Sequence, residues 1–217
     1  MSLSVDKKCP VAADHVRPVL AQLAEVPAKE WRHAERCLRL ENLAAGEALT
    51  AAGTVADRFG FVVDGLIKKL HVTERGQPIV RGFGGPGSIV GAYASLLTRE
   101  PSYLRVEAVH ATRVFVMAWS DWIALSERHV CWQAVGRRMA EIILLEREAR
   151  AHELLTLGAA ERYARFCQRH RELIPQLKAH EIASYLGITP VSLSRLRARE
   201  RQKRRDSTHL PSRSSNR

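Results

Sequence analysis

The spacing of apolar residues changes character along the chain. From Val16 to about Leu40 they recur every three or four positions, which is typical of short amphipathic helices. From Glu41 to Trp119, short runs of Val, Ile, Phe and Leu alternate with glycines, and this texture predicts an antiparallel barrel or sandwich, with a jelly roll favoured. From Ser120 to Leu157 the one helix breaker is Gly136, so a short helix and then a long helix are predicted. A further helix is predicted from Ala159 to His170.

The predicted strands are marked most clearly by four apolar runs: Phe59 to Val63, Leu66 to Val72, Ile79 to Phe83 and Val114 to Ala118. The long helix carries an apolar stripe at spacings of three and four: Val135, Met139, Ile142, Leu145 and Ala149. Such a stripe can pack on the chain's own barrel or on a second copy of the helix. The consecutive residues 142–145 are all apolar and surround most of the helix, so we predict that the stripe is a dimer interface.

The run from Lys178 to Arg197 has the layout of a helix-turn-helix. Gly187 can adopt the left-handed conformation that ends a first helix and opens a tight turn. Thr189 is a good N-cap and Pro190 suits the first helical position, so a second helix is predicted to begin there. The buried faces are assigned to Ile182, Ala183, Tyr185 and Leu186 in the first helix, and to Leu193 and Leu196 in the second.

The second helix of a helix-turn-helix enters the DNA major groove, where an arginine can bind guanine through two hydrogen bonds. Arg195 is therefore the candidate base reader, whereas Thr189 and Ser192 suit phosphate contacts that fix orientation. The predicted DNA-binding residues are Thr189, Pro190, Val191, Ser192, Arg195, Ala198 and Arg199.

The charge of the chain supports a polyanionic partner. The formal net charge is +11, and residues 195–217 contribute +7 of it, with nine Lys and Arg against Glu200 and Asp206. No apolar run is long enough for a membrane span or a signal peptide, so we expect a cytoplasmic protein with no membrane partner. The cysteines, Cys9, Cys37, Cys131 and Cys167, lack the C-x-x-C spacing of metal sites, so we expect reduced thiols, no metal site and no cofactor.

A glycine-punctuated jelly roll, a long helix and a helix-turn-helix, in that order, resemble the CRP/FNR family over residues 20–198. The residues that carry this resemblance are Ala45-Gly46-Glu47, Gly53 with Ala56 to Phe59, Val62 to Lys68, and Gly82 to Gly91, which are similar to strands and turns of the cyclic-nucleotide-binding domain. The resemblance implies a homodimer with a sensory barrel that controls transcription through promoter DNA, often with an RNA polymerase contact.

The sequence departs from the family pattern at the ligand site and at the DNA end. Nucleotide-binding members carry a Gly-Glu pair and, some ten residues later, an Arg that neutralises the cyclic phosphate; here Gly91 is followed by Ala92, and Ser102 stands near the arginine position. Arg105 lies three residues further, which reverses its direction on a strand. Cyclic AMP is therefore not the expected effector.

The other sensor chemistries of the family also lack their residues. Iron-sulfur members need clustered N-terminal cysteines where this chain has only Cys9, and no histidine is marked as a haem ligand. At the recognition helix Pro190 and Val191 replace the usual Arg and Glu, and no strand pattern follows Leu196, so the wing is predicted to be reduced or absent.

These observations predict a transcription regulator with four parts: a sensory domain (1–128), a dimerisation helix (129–157), a helix-turn-helix domain (158–200) and a disordered basic tail (201–217). An effector pocket is predicted at Gly91, Ala92, Tyr93, Ser95, Ser102 and Tyr103, although these residues can instead simply fill the barrel.

Two other function classes are weighed against this prediction. A metal enzyme of the cupin type needs a His-x-His motif with a nearby Glu, which the sequence lacks, so no enzyme activity is predicted. A sensory or scaffold protein that has lost DNA contact stays open, because Val191 and Ala198 are poor base readers.

Overall fold

The structure is a computed structural model that describes residues 12–73 and 77–208, with side chains up to residue 202. The chain divides into two compact units, residues 1–151 and residues 152–217, named here the barrel unit and the C-terminal unit. Cys9 and the part of the predicted tail from residue 209 onward lie outside the described residues.

The described part of the barrel unit contains two four-stranded antiparallel sheets. Their strands are β1 (Leu38–Leu43), β2 (Ala48–Thr50), β3 (Arg58–Asp64), β4 (Ile67–Val72), β5 (Pro78–Gly84), β6 (Ile89–Val90), β7 (Leu104–Ala108) and β8 (Thr112–Ala118). The sheet orders are β1-β8-β3-β6 and β2-β7-β4-β5. This arrangement confirms the predicted jelly roll and the α+β class.

Strand β3 is buried on both faces of its sheet. Residues Phe59 to Val63 are all buried, because one face meets the second sheet and the other meets helices of the same unit. These helices are α1 (Ala12–Ala21), α2 (Ala28–Cys37), α3 (Tyr93–Thr98), α4 (Trp119–Arg128) and α5 (Val130–Thr156). The predicted leading helix ends earlier than expected, since Leu38 already pairs with Met117 in β1.

The first half of α5 belongs to the core of the barrel unit. Val135 and Met139, two of the predicted dimer-interface residues, are buried there and hold α5 against the barrel of their own chain. A buried carboxylate secures the same end of the helix, because Glu30 on α2 accepts a 3.3 Å hydrogen bond from the Trp132 indole and pairs with Arg128. Burial opposes ionisation of Glu30, but these two partners outweigh it and lower its pKa.

The described part of the C-terminal unit is entirely helical. The end of α5 is followed by α6 (Ala159–Arg169), a short 3-10 helix (Ile174–Gln176), α7 (Ala179–Leu186) and α8 (Pro190–Thr208). No strand occurs among these described residues, as expected for a reduced or absent wing. The predicted disordered tail is corrected in its first part, since α8 continues to Thr208. Residues 201–208 contain no Gly or Pro and are rich in helix-forming Arg, Lys and Gln.

Two polar side chains, Glu153 and Arg162, fix the start of the C-terminal unit. Glu153 near the end of α5 is buried and accepts a 2.7 Å hydrogen bond from Arg169 of α6. Arg162 donates to the carbonyl oxygens of Leu157 and Leu186 at 2.6 and 3.0 Å. These carbonyls lie at helix ends, where they have no partner within the helix, so Arg162 ties the end of α5 to the end of α7.

Candidate nucleic-acid interface and ligand pocket

The turn between α7 and α8 has the geometry that the sequence predicts for a helix-turn-helix corner. Gly187 ends α7 in the left-handed conformation, with φ 66° and ψ 38°. The amide of Ile188 donates a 3.0 Å hydrogen bond to the carbonyl of Ala183, which satisfies one of the carbonyls left open at the helix end. Ala183 itself is fully buried, so its small side chain allows the close approach of the neighbouring elements.

The beginning of α8 is fixed by its cap. The Thr189 hydroxyl accepts a 3.1 Å hydrogen bond from the Ser192 amide, and the two hydroxyls lie 2.9 Å apart. Pro190 occupies the first helical position, and Leu193 is buried beneath it. The cap therefore sets the direction in which the first turns of α8 leave the corner.

One face of α8 is open to solvent along the predicted DNA-binding residues. Val191 is 60% exposed, and Arg195, Ala198 and Arg199 are also exposed, whereas Ser192 is half-buried beside the cap. The Arg195 side chain is therefore accessible. A buried Arg195 could not contact a base edge. We name the stripe Val191, Arg195, Ala198 and Gln202 the reading face.

Two further arginines of α8 were not predicted as functional. Arg197 and Arg201 line a cleft of about 240 Å³ beside the start of α7. The signal in the sequence is a stripe parallel to the reading face and one residue before it: Pro190, Ser194, Arg197 and Arg201 recur at spacings of four, three and four.

The predicted effector pocket is formed only in part. Four of its residues, Ala92, Ser95, Ser102 and Tyr103, line a cavity of about 200 Å³ in the barrel unit. The other two predicted pocket residues, Gly91 and Tyr93, are not among the residues that line it. A Cβ at Gly91 would lie 3.0 Å from the Cβ of Phe59, and the Tyr93 ring packs edge-on against Trp119, with ring centres 6.3 Å apart. Burial raises the pKa of the Tyr93 phenol.

The two serines of this cavity are committed to hydrogen bonds within the barrel unit. The Ser95 hydroxyl accepts from the Ala56 amide at 2.9 Å and donates to the Glu100 carbonyl at 2.5 Å. The Ser102 hydroxyl accepts from the Leu104 amide at 3.0 Å and donates to its carbonyl at 2.8 Å. Glu100 is the one charged residue among the described residues that line the cavity.

Arg105 does not supply a cation to this cavity. Its guanidinium pairs with the Glu107 carboxylate and donates a 2.9 Å hydrogen bond to the Gly46 carbonyl. Leu104 and Val106, the neighbours of Arg105 on β7, are buried, so Arg105 points to the other side of the strand, as its spacing from Ser102 predicts.

The remaining predicted interface residues lie along the middle of α5. Ile142 is half-buried, whereas Leu145 is 63% exposed and Ala149 is exposed. Leu144, which the predicted stripe omits, is 58% exposed. The exposed apolar segment of α5 in the barrel unit thus begins after the residues that pack on the barrel.

The described residues contain neither a metal-binding cluster nor a candidate membrane span. Residues 12–73 and 77–208 contain no group of three or more His, Cys, Asp and Glu side chains placed to hold a metal ion. Within the same ranges, no helix is both long enough and apolar enough to span a membrane.

Residues 40–129 match the family model described as the cyclic nucleotide-binding domain. No curated protein matches the chain. Among solved structures, FixK2 from Bradyrhizobium japonicum is similar at 20% identity with a TM-score of 0.68, over 76% of this chain and 85% of that one. The catabolite activator protein of Thermus thermophilus is similar at 20% identity with a TM-score of 0.53, over 85% of this chain and 87% of that one.

A third structure, the c-di-GMP responsive global regulator CLP of Xanthomonas campestris, is similar at 14% identity with a TM-score of 0.62, over 87% of this chain and 96% of that one. These neighbours are CRP/FNR-family regulators, and the chain shares their fold.

Proposed function

We propose that this chain is a DNA-binding transcription regulator of the CRP/FNR type that acts as a homodimer and reads promoter DNA with α8. The observation that carries the proposal is the exposed Arg195 on a helix that a Thr-Pro start and a left-handed glycine fix in direction. An exposed arginine two turns or less from the start of such a helix can reach the edge of a guanine in the major groove. The shared fold supports the same function class.

The exposed apolar residues of α5 support the homodimer. Leu144 and Leu145 are both more than half exposed, and Ala149 follows one turn later. Covering such a surface with a second copy of the same helix removes apolar area from water and duplicates the reading face across a twofold axis. We therefore assign the dimer contact to residues 142–149 and leave Val135 and Met139 in the core.

We infer that an effector of the barrel cavity is not a cyclic nucleotide. A buried phosphate needs a cation, and the described residues that line the cavity include none, since their one charged member is Glu100. The cavity offers apolar wall from Ala92 and Leu104, and a half-exposed Tyr103 ring at its edge. A small uncharged molecule fits this lining better than an anion.

The alternative is a sensory or scaffold protein of the same fold without sequence-specific DNA binding. The observation that favours it is that Val191 and Ala198 occupy two exposed positions of the reading face and offer no hydrogen bonds to base edges. The two functions differ in whether one duplex sequence is bound in preference to others.

The test begins by selecting bound duplexes from a random library and then compares the selected site with a scrambled one over a range of salt concentrations. We expect Arg195→Ala to remove most of the preference for the selected site, about 1–3 kcal/mol, because a bidentate arginine–guanine contact is lost. The matched control is Arg36→Ala, an exposed arginine on α2 that carries the same charge change.

Three results are possible and each is decisive. Loss of preference with retained binding to the scrambled duplex supports the proposal. Equal weakening on both duplexes makes Arg195 a phosphate contact and removes it as the base reader. A wild-type protein that binds no duplex, or that binds all sequences equally, supports the alternative function.

A further inference from the structure

The lateral side of α8 forms a cleft with the start of α7, and the two arginines of this cleft, Arg197 and Arg201, lie outside the reading face. The cleft has a volume of about 240 Å³. Residues from the first turn of α7 and from four successive turns of α8 line it, and one of them, Ala198, also belongs to the reading face: Ala179, Pro190, Leu193, Ser194, Arg197, Ala198 and Arg201. No strand among residues 152–208 covers it, because the wing is missing from this part of the fold.

Arg197 is held in place inside this cleft. Its side chain is half-buried and lies near the Tyr163 phenol of α6, whose pKa burial raises and the charge of Arg197 partly lowers. An anchored guanidinium loses little conformational freedom when it binds a ligand, which favours binding. Arg201 lies one turn further along α8 and is exposed, and Ser194 lies one turn earlier, so two cations and a hydroxyl face the same space.

The direction of the cleft follows from the helix geometry. Consecutive residues of an α-helix are about 100° apart, so the stripe of Ser194, Arg197 and Arg201 is turned by about that angle from the reading face. A helix with its side chains is about 10–12 Å wide, and the major groove is about 12 Å wide. When Arg195 points to the base edges, the cleft therefore faces one phosphate wall of the groove.

We propose that this cleft is a binding site for one backbone phosphate of duplex DNA, with Arg201 and Arg197 as its cations and Ser194 as a neutral hydrogen-bond donor. The proposal rests on the proposed function, because it places α8 in the major groove. Arginine guanidinium groups match phosphate oxygens with two parallel hydrogen bonds, and a helix pair without a wing gains an orienting contact in this way. The volume exceeds the about 30 Å³ share of a water molecule several times, so a phosphate group and waters fit.

The test measures the affinity of the full chain for the selected and the scrambled duplex between 50 and 200 mM salt. Arg201→Gln is the principal variant, because Arg201 is exposed and its loss leaves the buried contacts of the unit in place. We expect affinity for both duplexes to fall by the same factor. The slope of log K against log salt should also become less steep by about 0.9. The loss of affinity between the two salt concentrations is then about 3.5-fold smaller than for the wild type.

Two further variants separate a phosphate site from a general loss of charge or of folding. Arg36→Gln removes the same charge in the barrel unit and is expected to leave the salt slope unchanged. Ser194→Glu places a carboxylate at the exposed edge of the cleft, and we expect at least a tenfold loss on both duplexes. Thermal unfolding of each variant checks that the C-terminal unit still folds.

The outcomes distinguish this proposal from the proposed function. If the wild type binds no duplex, both are overturned. If the wild type binds a selected site and Arg195→Ala removes its preference, but Arg201→Gln leaves the salt slope as Arg36→Gln does, only the phosphate site is overturned. A change of sequence preference in Arg201→Gln with an unchanged slope would also overturn it, because Arg201 would then contact bases.

Discussion

Replacing Gly187 tests whether the corner between α7 and α8 depends on its left-handed backbone. A Cβ at this position would meet only Cδ2 of Leu154, at 3.5 Å, which is an ordinary contact. The cost of Gly187→Ala therefore comes from the φ of 66°, which costs an L-residue about 1–2 kcal/mol. The reduced entropy of the unfolded chain offsets part of this, so we expect a net loss of about 1 kcal/mol in the stability of the C-terminal unit. Gly187→Asn should lose less, because asparagine tolerates this conformation.

The four tryptophans make this measurement selective. All of them, Trp31, Trp119, Trp122 and Trp132, lie in the barrel unit, so their fluorescence follows that unit alone. Far-UV circular dichroism also reports the helices of the C-terminal unit. We expect Gly187→Ala to lower the urea midpoint of the dichroism transition while the fluorescence transition stays in place. Equal stability of the Ala variant and the wild type, or a greater loss in the Asn variant, would refute the backbone argument.

Two more predictions concern the barrel unit. Gly65 and Gly53 share a positive φ, at 86° and 82°, but only at Gly65 would a Cβ overlap other atoms, 2.7 Å from Thr112 Cα. We expect Gly65→Ala to shift the fluorescence-monitored unfolding by at least about 2 kcal/mol more than Gly53→Ala, and similar shifts would disprove the overlap. Burial lowers the pKa of Lys69, and the charge of Glu146 partly opposes this shift. Protonation of Lys69 therefore lowers the stability of the folded state. Wild-type stability should therefore rise with pH from the lowered folded pKa to the ordinary 10.5. The urea midpoint of Lys69→Met should lack this rise, and an unchanged pH profile would exclude Lys69 as its source.

Short sequence motifs were sufficient to predict the elements that depend on interactions within a few residues. The left-handed glycine, the threonine cap and the proline of the α7–α8 corner each act over a few residues, and the structure has them as predicted. The run from Phe59 to Val63 predicted β3 for a similar reason, because a continuous apolar run suits a strand that is buried on both faces.

The errors concern features that depend on contacts between distant parts of the chain. Leu38 follows Ala34 at helical spacing, but its pairing with Met117 makes it the start of a strand. The stripe on α5 correctly indicated burial, but spacing cannot say whether a second chain or the barrel covers Val135. Tyr93 is adjacent in sequence to Ala92, which lines the cavity, yet the Tyr93 ring packs against Trp119. Sequence reasoning thus found apolar faces but not what each of them contacts.

The hydrogen bonds of Ser95 limit what the barrel cavity can bind. This hydroxyl joins the Ala56 amide to the Glu100 carbonyl, two groups that are 44 residues apart in the numbering of the chain. A ligand that took over the hydroxyl would leave both backbone groups without their partner, at a cost of about 1–3 kcal/mol for each group that stays buried. Binding energy must therefore come from contacts that leave Ser95 in place, namely the apolar wall at Ala92 and Leu104. Ser95, which was predicted to line the effector pocket, thereby stabilises the wall of the cavity, and this selects against polar ligands that compete for its hydroxyl.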